Sequence, residues 1–299
     1  MNGTGRRDAL PPPVPLEVYQ LLDSVLQQQI IDKNRDFMKG YRANDPYQED
    51  FVSDQQQRLP QPPLVKDAMR PADSHIPLPL DFSGLDCKND LYALFRDRKS
   101  QRVYTEQPVS LAQLSFLLWA TQGIKELRGK AYATLRTVPS GGARHPFETY
   151  LAVRLVDGLR PGIYHYLPME HALEFLGLPE NFDEQIADSL SGQKWAAKAN
   201  VVFYWSMVAY RAEWRYGIYA HRVALIDAGH LGQNLYLAAE GVGLGCCGIA
   251  AFEHELCCRM LEIDGIEEFP VYTMPVGTVS AENQQAEQDF YRFVREQNL

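Results

Sequence analysis

Long apolar runs, a cysteine framework and a surplus of positive charge are all missing from this 299-residue chain. Its strongest hydrophobic stretches, residues 201–208 and 235–247, are too short or too interrupted to span a bilayer, which takes about 20 consecutive apolar residues. The cysteines, Cys87, Cys246, Cys247, Cys257 and Cys258, are odd in number and include two vicinal pairs. That pattern excludes the disulfide scaffold of a small secreted domain and suits a reducing compartment. No C-x-x-C spacing with a suitable histidine accompanies them, so buried thiols packed as small apolar groups outweigh a metal site. With 29 Lys and Arg against 38 Asp and Glu the net charge is -9. A general binder of nucleic-acid backbone needs the opposite sign, so any anion site must be local. The first fifteen residues carry two arginines with no apolar core behind them; no secretory signal is expected, no membrane partner either, and the expected location is cytoplasmic. No G-x-S-x-G elbow occurs, which removes the serine-hydrolase reading.

What is present is a globular composition, 45% hydrophobic and 22% charged, which fits neither a disordered nor a fibrous chain. In residues 16–41 the apolar side chains Val18, Leu21, Leu22, Val25, Leu26, Ile30 and Ile31 recur at helical spacing, predicting an amphipathic helix. Residues 43–82 hold Pro60, Pro62, Pro63, Pro71, Pro77 and Pro79 and read as an extended arm or strap, with a partner subunit as one surface it could wrap. Residues 1–84 are therefore expected to be an appendage, 85–280 the main domain and 281–299 a helical tail.

Within the main domain, helices are expected at 90–98 and at 110–123, the second opened by Ser110 as N-cap and closed by Gly123. Strands are expected at 149–156, 162–167, 201–209, 246–250 and 271–276, and helices at 182–199, 219–242 and 253–261. This order predicts an α+β sandwich with a mixed sheet.

Three segments carry candidate chemistry. The first is Arg98-Lys99-Ser100-Gln101-Arg102: guanidinium forks flanking a hydroxyl suit a phosphate monoester, although a short basic run is more often a solvated face. The second is Pro139-Ser140-Gly141-Gly142-Ala143-Arg144-His145-Pro146; paired glycines allow close approach to a flat ligand, or simply make a turn. In the third, Gly243-x-Gly245-x-x-Gly248 satisfies the dinucleotide expression. That fingerprint needs a strand before it and a helix within it. Here the helix comes first, so we read a helix end turning into a strand beside a planar cofactor. Asp227, His230 and Asn234 fall on one helical face and read as an intrahelical polar set at a subunit interface. The run Phe203-Tyr204-Trp205 reads as core.

In this order and spacing, and together with Leu117–Gly123, Gly162-Ile163-Tyr164-His165-Tyr166, Asp227–Leu235 and Pro275-Val276-Gly277, the three segments resemble the nitroreductase superfamily, within it the SagB-type dehydrogenases related to azoline oxidases. The resemblance implies a homodimeric, nitroreductase-like α+β sandwich whose central sheet is mixed but mainly antiparallel. It also implies FMN as cofactor, with NADH or NADPH as a donor, and a small-molecule or peptide substrate. On this chain it implies that Arg98, Lys99, Ser100 and Arg102 hold the flavin's phosphate, ribityl chain and pyrimidine edge. Pro139, Ser140, Gly141 and Gly142 would reach the same flavin from the other subunit. Gly248, Ile249, Ala250 and Ala251 would turn backbone amides toward the N5 and O4 edge, where fixed donors stabilise the charge of the reduced ring.

Two departures from the family's pattern stand out. No basic residue follows Pro275-Val276-Gly277, where Thr278-Val279-Ser280-Ala281-Glu282-Asn283 stands instead, which places the phosphate on Arg98 and Arg102. Arg215-Tyr216 stands where the azoline dehydrogenases carry Lys-Tyr. Arginine stays protonated, so proton abstraction would fall to Tyr216 or another group, with Arg215 and Tyr216 lining the substrate side. The expected function is hydride transfer through FMN in a ping-pong cycle, by a nitro- or quinone-type reductase or a small-molecule dehydrogenase. An azoline dehydrogenase acting on a modified peptide and a non-catalytic FMN-fold subunit of a biosynthetic complex are the alternatives.

Overall fold

A computed structural model describes residues 16–39, 51–130 and 132–296. The chain divides into two compact units, the first ending at Phe51 and the second starting at Val52. Helix α1 (Leu16–Met38) makes up all of the described part of the first unit but Lys39 and Phe51. Its apolar side chains Val25, Leu26 and Ile30 are exposed. The remainder of the N-terminal helix expected from the sequence, residues 39–41, is not helical at Lys39 and otherwise lies outside the described residues.

The second unit is built on a seven-stranded sheet. In chain order its strands and helices are β1 (Ile76–Pro77), α2 (Leu91–Asp97), α3 (Leu111–Gln122), β2 (Ile124–Arg128), β3 (Ala133–Arg136), β4 (Phe147–Val153), β5 (Gly162–Leu167), β6 (Ala172–Gly177), α4 (Phe182–Ser189), β7 (Val201–Val208), α5 (Ala209–Tyr216), α6 (Ala220–Gly241), β8 (Leu244–Cys246), α7 (His254–Leu261), β9 (Glu268–Thr278) and α8 (Ala281–Glu296). The sheet runs β1-β6-β5-β4-β7-β9-β8, with β2 and β3 as a separate two-stranded ribbon. Every ladder between these strands is antiparallel. Parallel pairing survives in the isolated bridges Ser100–Cys246 and Val109–Val156, so the sheet is mainly antiparallel, as the sequence predicts.

Alternation along β7 makes the sandwich, because successive side chains of a strand face opposite sides. Phe203 and Trp205 pack with Leu117, Leu118, Leu231 and Leu235 of α3 and α6. Val202 and Tyr204 pack with Ile186, Cys257 and Leu261 of α4 and α7. The predicted caps of α3 are present: Ser110 Oγ accepts from Gln113 N, Gln113 answers through its own side chain, and Gly123 closes the helix. Three expectations shift. The helix expected over residues 182–199 stops at Ser189, since Ser191 and Gly192 both take positive φ, which a helix cannot hold. The strand expected at 246–250 is centred on Gly245, and only Ile249 of its second half bridges β9, at Thr273. Strands β1, β2, β3 and β6 have no counterpart in the sequence reading.

The segment 52–84, grouped by sequence with the appendage, is woven into the second unit of its own chain. It supplies β1, and it covers a row of buried polar side chains crossing five strands. Lys66 N donates to Glu148 Oε1 at 3.0 Å, and Lys66 Nζ to Tyr150 Oη at 2.8 Å and Glu268 Oε2 at 2.6 Å. Arg70 N donates to Glu174 Oε2 at 2.7 Å, and Arg136 Nη2 to the Leu64 carbonyl at 3.1 Å. Beneath them His165 sits between Glu174 Oε1 (2.7 Å) and Glu148 Oε2 (3.2 Å), and Arg211 grips Glu148.

Burial pushes the Glu148 carboxyl up, but Arg211, His165 and Arg136 outweigh it and hold the group well below the usual carboxylate range. A depressed native value adds stability above the ordinary carboxylate pKa of about 4.3 and loses it as pH falls further. Removing one partner of a buried ion pair typically costs about 3–5 kcal/mol. Glu148→Gln is therefore expected to lower the unfolding free energy by about 3 kcal/mol at pH 7. It should also flatten the decline in stability below about pH 4, measured by urea titration across pH.

Candidate active site

Helix α6 organises both places where the sequence-predicted residues meet. Near its start, Asp227 is buried and accepts from Ser140 Oγ at 2.6 Å and from Gly141 N at 3.1 Å. Burial raises the Asp227 carboxyl, and the bonds from Ser140 and Gly141 oppose that rise. Ser140 Oγ in turn accepts from His145 N at 2.9 Å. The loop from Pro139 to Gly142 is thus clamped to the helix, and Gly142 takes φ 57°, a conformation glycine adopts without penalty. A Cβ on Gly142 would run into Arg215 and approach Tyr216 Oη, and one on Gly141 would strike Val223. Arg215 and Tyr216, at the end of α5, therefore lie directly against the paired glycines.

Near the end of α6, Tyr236 joins the other two segments. Its hydroxyl accepts from Gly248 N at 2.7 Å and shares a hydrogen bond with Ser100 Oγ at 2.9 Å. The Arg98 guanidinium lies 5.0 Å from the centre of its ring, a cation–π distance. Arg98 follows α2 as its C-cap, and Gln101 N donates to the Cys246 carbonyl at 2.9 Å, which lays the basic segment beside β8. Neither Arg98 nor Lys99 has an acidic partner among the described residues. Arg102 stands 5.9 Å from the centre of the Trp195 ring.

The four predicted amides divide. Gly248 N goes to Tyr236, and Ile249 N to the Thr273 carbonyl at 2.8 Å. Ala250 and Ala251 are exposed, and their N–H groups meet no acceptor among the described residues. On the opposite face of this segment a Cβ on Gly248 would collide with the Tyr272 phenol, and one on Gly245 with Gln101. Gln101 Oε1 is buried without a hydrogen-bond partner.

Nine residues separate Asp227 from Tyr236, about 14 Å along a helix axis at roughly 1.5 Å per residue. One chain thus assembles two distinct clusters: Arg98, Ser100 and Gly248 around Tyr236, and Pro139–Gly142 with Arg215 and Tyr216 around Asp227. The intrahelical set expected for Asp227, His230 and Asn234 does not form. Asn234 Nδ2 reaches the Ala120 carbonyl at 2.8 Å, and His230 Nδ1 is buried with no partner. Tyr236 escapes the sequence reading because it sits inside the apolar helix run Leu235-Tyr236-Leu237; its signal is a lone hydroxyl nine residues after Asp227.

A two-faced α+β sandwich with paired clusters along one long helix defines the class, and the comparisons agree: residues 95–278 match the Nitroreductase family profile, and the chain belongs to that family. It is 35% identical over 180 residues to a protein of Methanocaldococcus jannaschii that bears a nitroreductase name, a stretch covering 60% of this chain and 86% of that one. It is 27% identical over 152 residues to the microcin B17-processing protein McbC of Escherichia coli, 48% of this chain and 55% of that protein. It thus spans about half of McbC, and the match to the trifolitoxin-processing protein TfxB of Rhizobium leguminosarum covers 30% of that protein. Among solved structures, a nitroreductase-named protein of Ralstonia eutropha aligns with a TM-score of 0.57 at 24% identity, over 75% of this chain and all of that one. The resemblance drawn from the motifs, to the superfamily and its SagB-type branch, is borne out by these two groups of relatives.

The tight seat at Gly248 gives a direct expectation. Gly248→Ala should destabilise the protein by about 1–3 kcal/mol, as overpacking does, seen as a lower urea midpoint at unchanged slope. An unchanged midpoint would show that Tyr272 yields freely.

Proposed function

We propose that the protein is an FMN-dependent oxidoreductase acting as a homodimer. The observation that carries this reading is the split of its site along α6: one chain holds the basic segment and the free amides at one end and the glycine loop at the other. A second copy whose α6 crosses this one antiparallel about a two-fold axis would bring the two ends together, since an isologous interface pairs residue i with j and j with i. Apolar side chains stand exposed beside both clusters, Leu225 and Ile226 on α6 and Leu91, Tyr92 and Phe95 on α2. Exposed apolar side chains beside each cluster suit an interaction surface.

The residues fit the cofactor. Arg98, Lys99 and Ser100 offer charge-assisted donors without acidic competitors, as a phosphate requires. The N–H groups of Ala250 and Ala251 are available to the isoalloxazine edge, while Gly248 serves the fold through Tyr236. When bound, FMN would supply the two-electron chemistry, taking hydride at N5 from NADH, NADPH or the substrate and passing it to an acceptor in a ping-pong cycle. Pro139–Gly142 form the floor that brings a flat ligand close to the backbone. Tyr216 Oη has no acceptor among the described residues, which leaves its proton available to a substrate atom. Arg215 orients rather than deprotonates, because its guanidinium stays charged.

The likeness to McbC supports a second reading, in which the same site dehydrogenates a ring within a modified peptide. Tyr216 would then remove the proton, with no lysine beside it.

Concentrated protein is expected to be yellow, and anaerobic NADH or NADPH to bleach it. Colourless protein that refuses FMN would end the flavin reading. Bleaching by an azoline peptide but by neither nicotinamide would favour the second. Arg98→Ala should weaken FMN retention by about tenfold to a hundredfold, the worth of a charge-assisted hydrogen bond, measured by equilibrium dialysis. Ile226→Asp should shift the sedimentation profile toward monomer and release FMN together, because each flavin needs both copies.

A further inference from the structure

Two arginines beside the glycine loop form no ion pair with an acidic side chain among the described residues. Arg144 is only 4% exposed. Its guanidinium gives hydrogen bonds to two backbone carbonyls, Gly142 O at 3.0 Å and Tyr132 O at 3.1 Å, and lies 4.8 Å from the Tyr132 ring centre and 5.4 Å from that of Trp214. Arg215 gives one hydrogen bond, to Tyr132 Oη at 3.2 Å, and its side chain abuts Gly142. Both guanidinium groups thus meet at Tyr132 and Gly142, close enough for burial and the Arg215 charge to depress Arg144. Among the described residues, acidic side chains of the segments that meet here are engaged elsewhere: Asp227 by Ser140 and Gly141, Glu213 by His221, and Asp54 by Tyr210. In a chain of net charge -9, two neighbouring cations without an acid are a local inversion of sign. Holding them together costs free energy that an anion between them repays.

The second feature is what holds Arg215's partner in place. Tyr132 Oη also accepts from Gln55 Nε2 at 2.6 Å, and Gln55 N donates to the Trp214 carbonyl at 2.9 Å. Trp214 Nε1 donates to the Leu59 carbonyl at 3.1 Å. The strap therefore braces the aromatic faces against which both arginines lie, and a rigid pair of cations is better suited to a fixed ligand than to solvent.

We infer that Arg144 and Arg215 form an oxyanion seat on the substrate side of the glycine loop, taking a carboxylate of the organic substrate or a phosphate of the donor. This rests on the active-site reading above for the word substrate, but the seat itself needs no flavin. Planar guanidinium forks bind either group through paired charge-assisted hydrogen bonds. A preference for anionic partners follows, and neutral analogues of equal shape are rejected.

The test uses the full-length protein, with its FMN content read from the absorption spectrum of each sample. Calorimetric titrations at pH 7 compare benzoate with benzamide and 2′-AMP with adenosine, on wild type, Arg215→Gln and Arg215→Lys. At least one anion should bind about tenfold or more tightly than its neutral twin. The gap should close in Arg215→Gln, persist in part in Arg215→Lys and shrink with added salt. A gap with benzoate alone assigns the seat to a substrate carboxylate, and a gap with 2′-AMP alone assigns it to the donor's phosphate. Equal binding of every anion and its twin by wild type overturns the inference, whether or not Arg215→Gln folds. So does a gap that a folded Arg215→Gln keeps intact. Colourless protein that still shows the gap would retain the seat and lose the flavin.

Discussion

Everything functional in this chain hangs on two polar side chains of one helix. Asp227 and Tyr236 face neighbouring loops from opposite ends of α6, and each binds a backbone N–H as well as a serine hydroxyl: Gly141 and Ser140 for the first, Gly248 and Ser100 for the second. Loops fastened in this way are positioned by the core rather than by their own sequence. The helix itself is fixed because Leu231 and Leu235 are buried against the sheet. The chemistry of both clusters thus inherits its precision from apolar packing some ångströms below, the arrangement that rigid functional sites require.

The other face of the sheet answers a different problem. Glu148, His165, Glu174, Arg211 and Glu268 are all nearly or wholly buried, and buried charges persist only when paired and hydrogen-bonded. The Lys66 ammonium of the strap pairs with Glu268, and the backbone N–H groups of Lys66 and Arg70 hydrogen-bond Glu148 and Glu174. The same strap braces Tyr132 and Trp214, so one polypeptide segment links the charge balance of the sheet's underside to the geometry of Arg215. The proline content of this stretch suits that duty, since a segment with fixed φ and few N–H donors lies across a surface without demanding a ladder.

How much of this is legible in the sequence depends on whether the signal is local. Helix α3 is legible because Ser110, Gln113 and Gly123 write its start and stop within fourteen residues. Strand β7 is legible because Val201–Val208 is almost entirely apolar or aromatic and bounded on both sides. Strand β2, Ile-Lys-Glu-Leu-Arg, is not: it is largely exposed, so no buried face imposes alternation. The three candidate segments are visible as motifs, whereas their meeting points are not. Tyr132 joins Gln55 across 77 residues and Arg215 across 83, and no periodicity records such distances. Arg144 lies inside a motif that the sequence singles out, but its burial without an acidic partner among the described residues is visible only in the structure.

The strap's anchoring also sets the order in which the molecule can be completed. Lys66 finds Glu268 across 202 residues, and Glu148 across 82. Strand β9 lies between β7 and β8, so the sheet stays open until β9 has been made. Contacts this distant in sequence are slow to form, because the intervening loop must be closed before they reward it. During synthesis the early strap waits with its cations unpaired, and the buried carboxylates of the half-made sheet remain wet. Strand β9, the last long strand in chain order, fills the place between β7 and β8 and carries the Glu268 carboxylate that Lys66 needs.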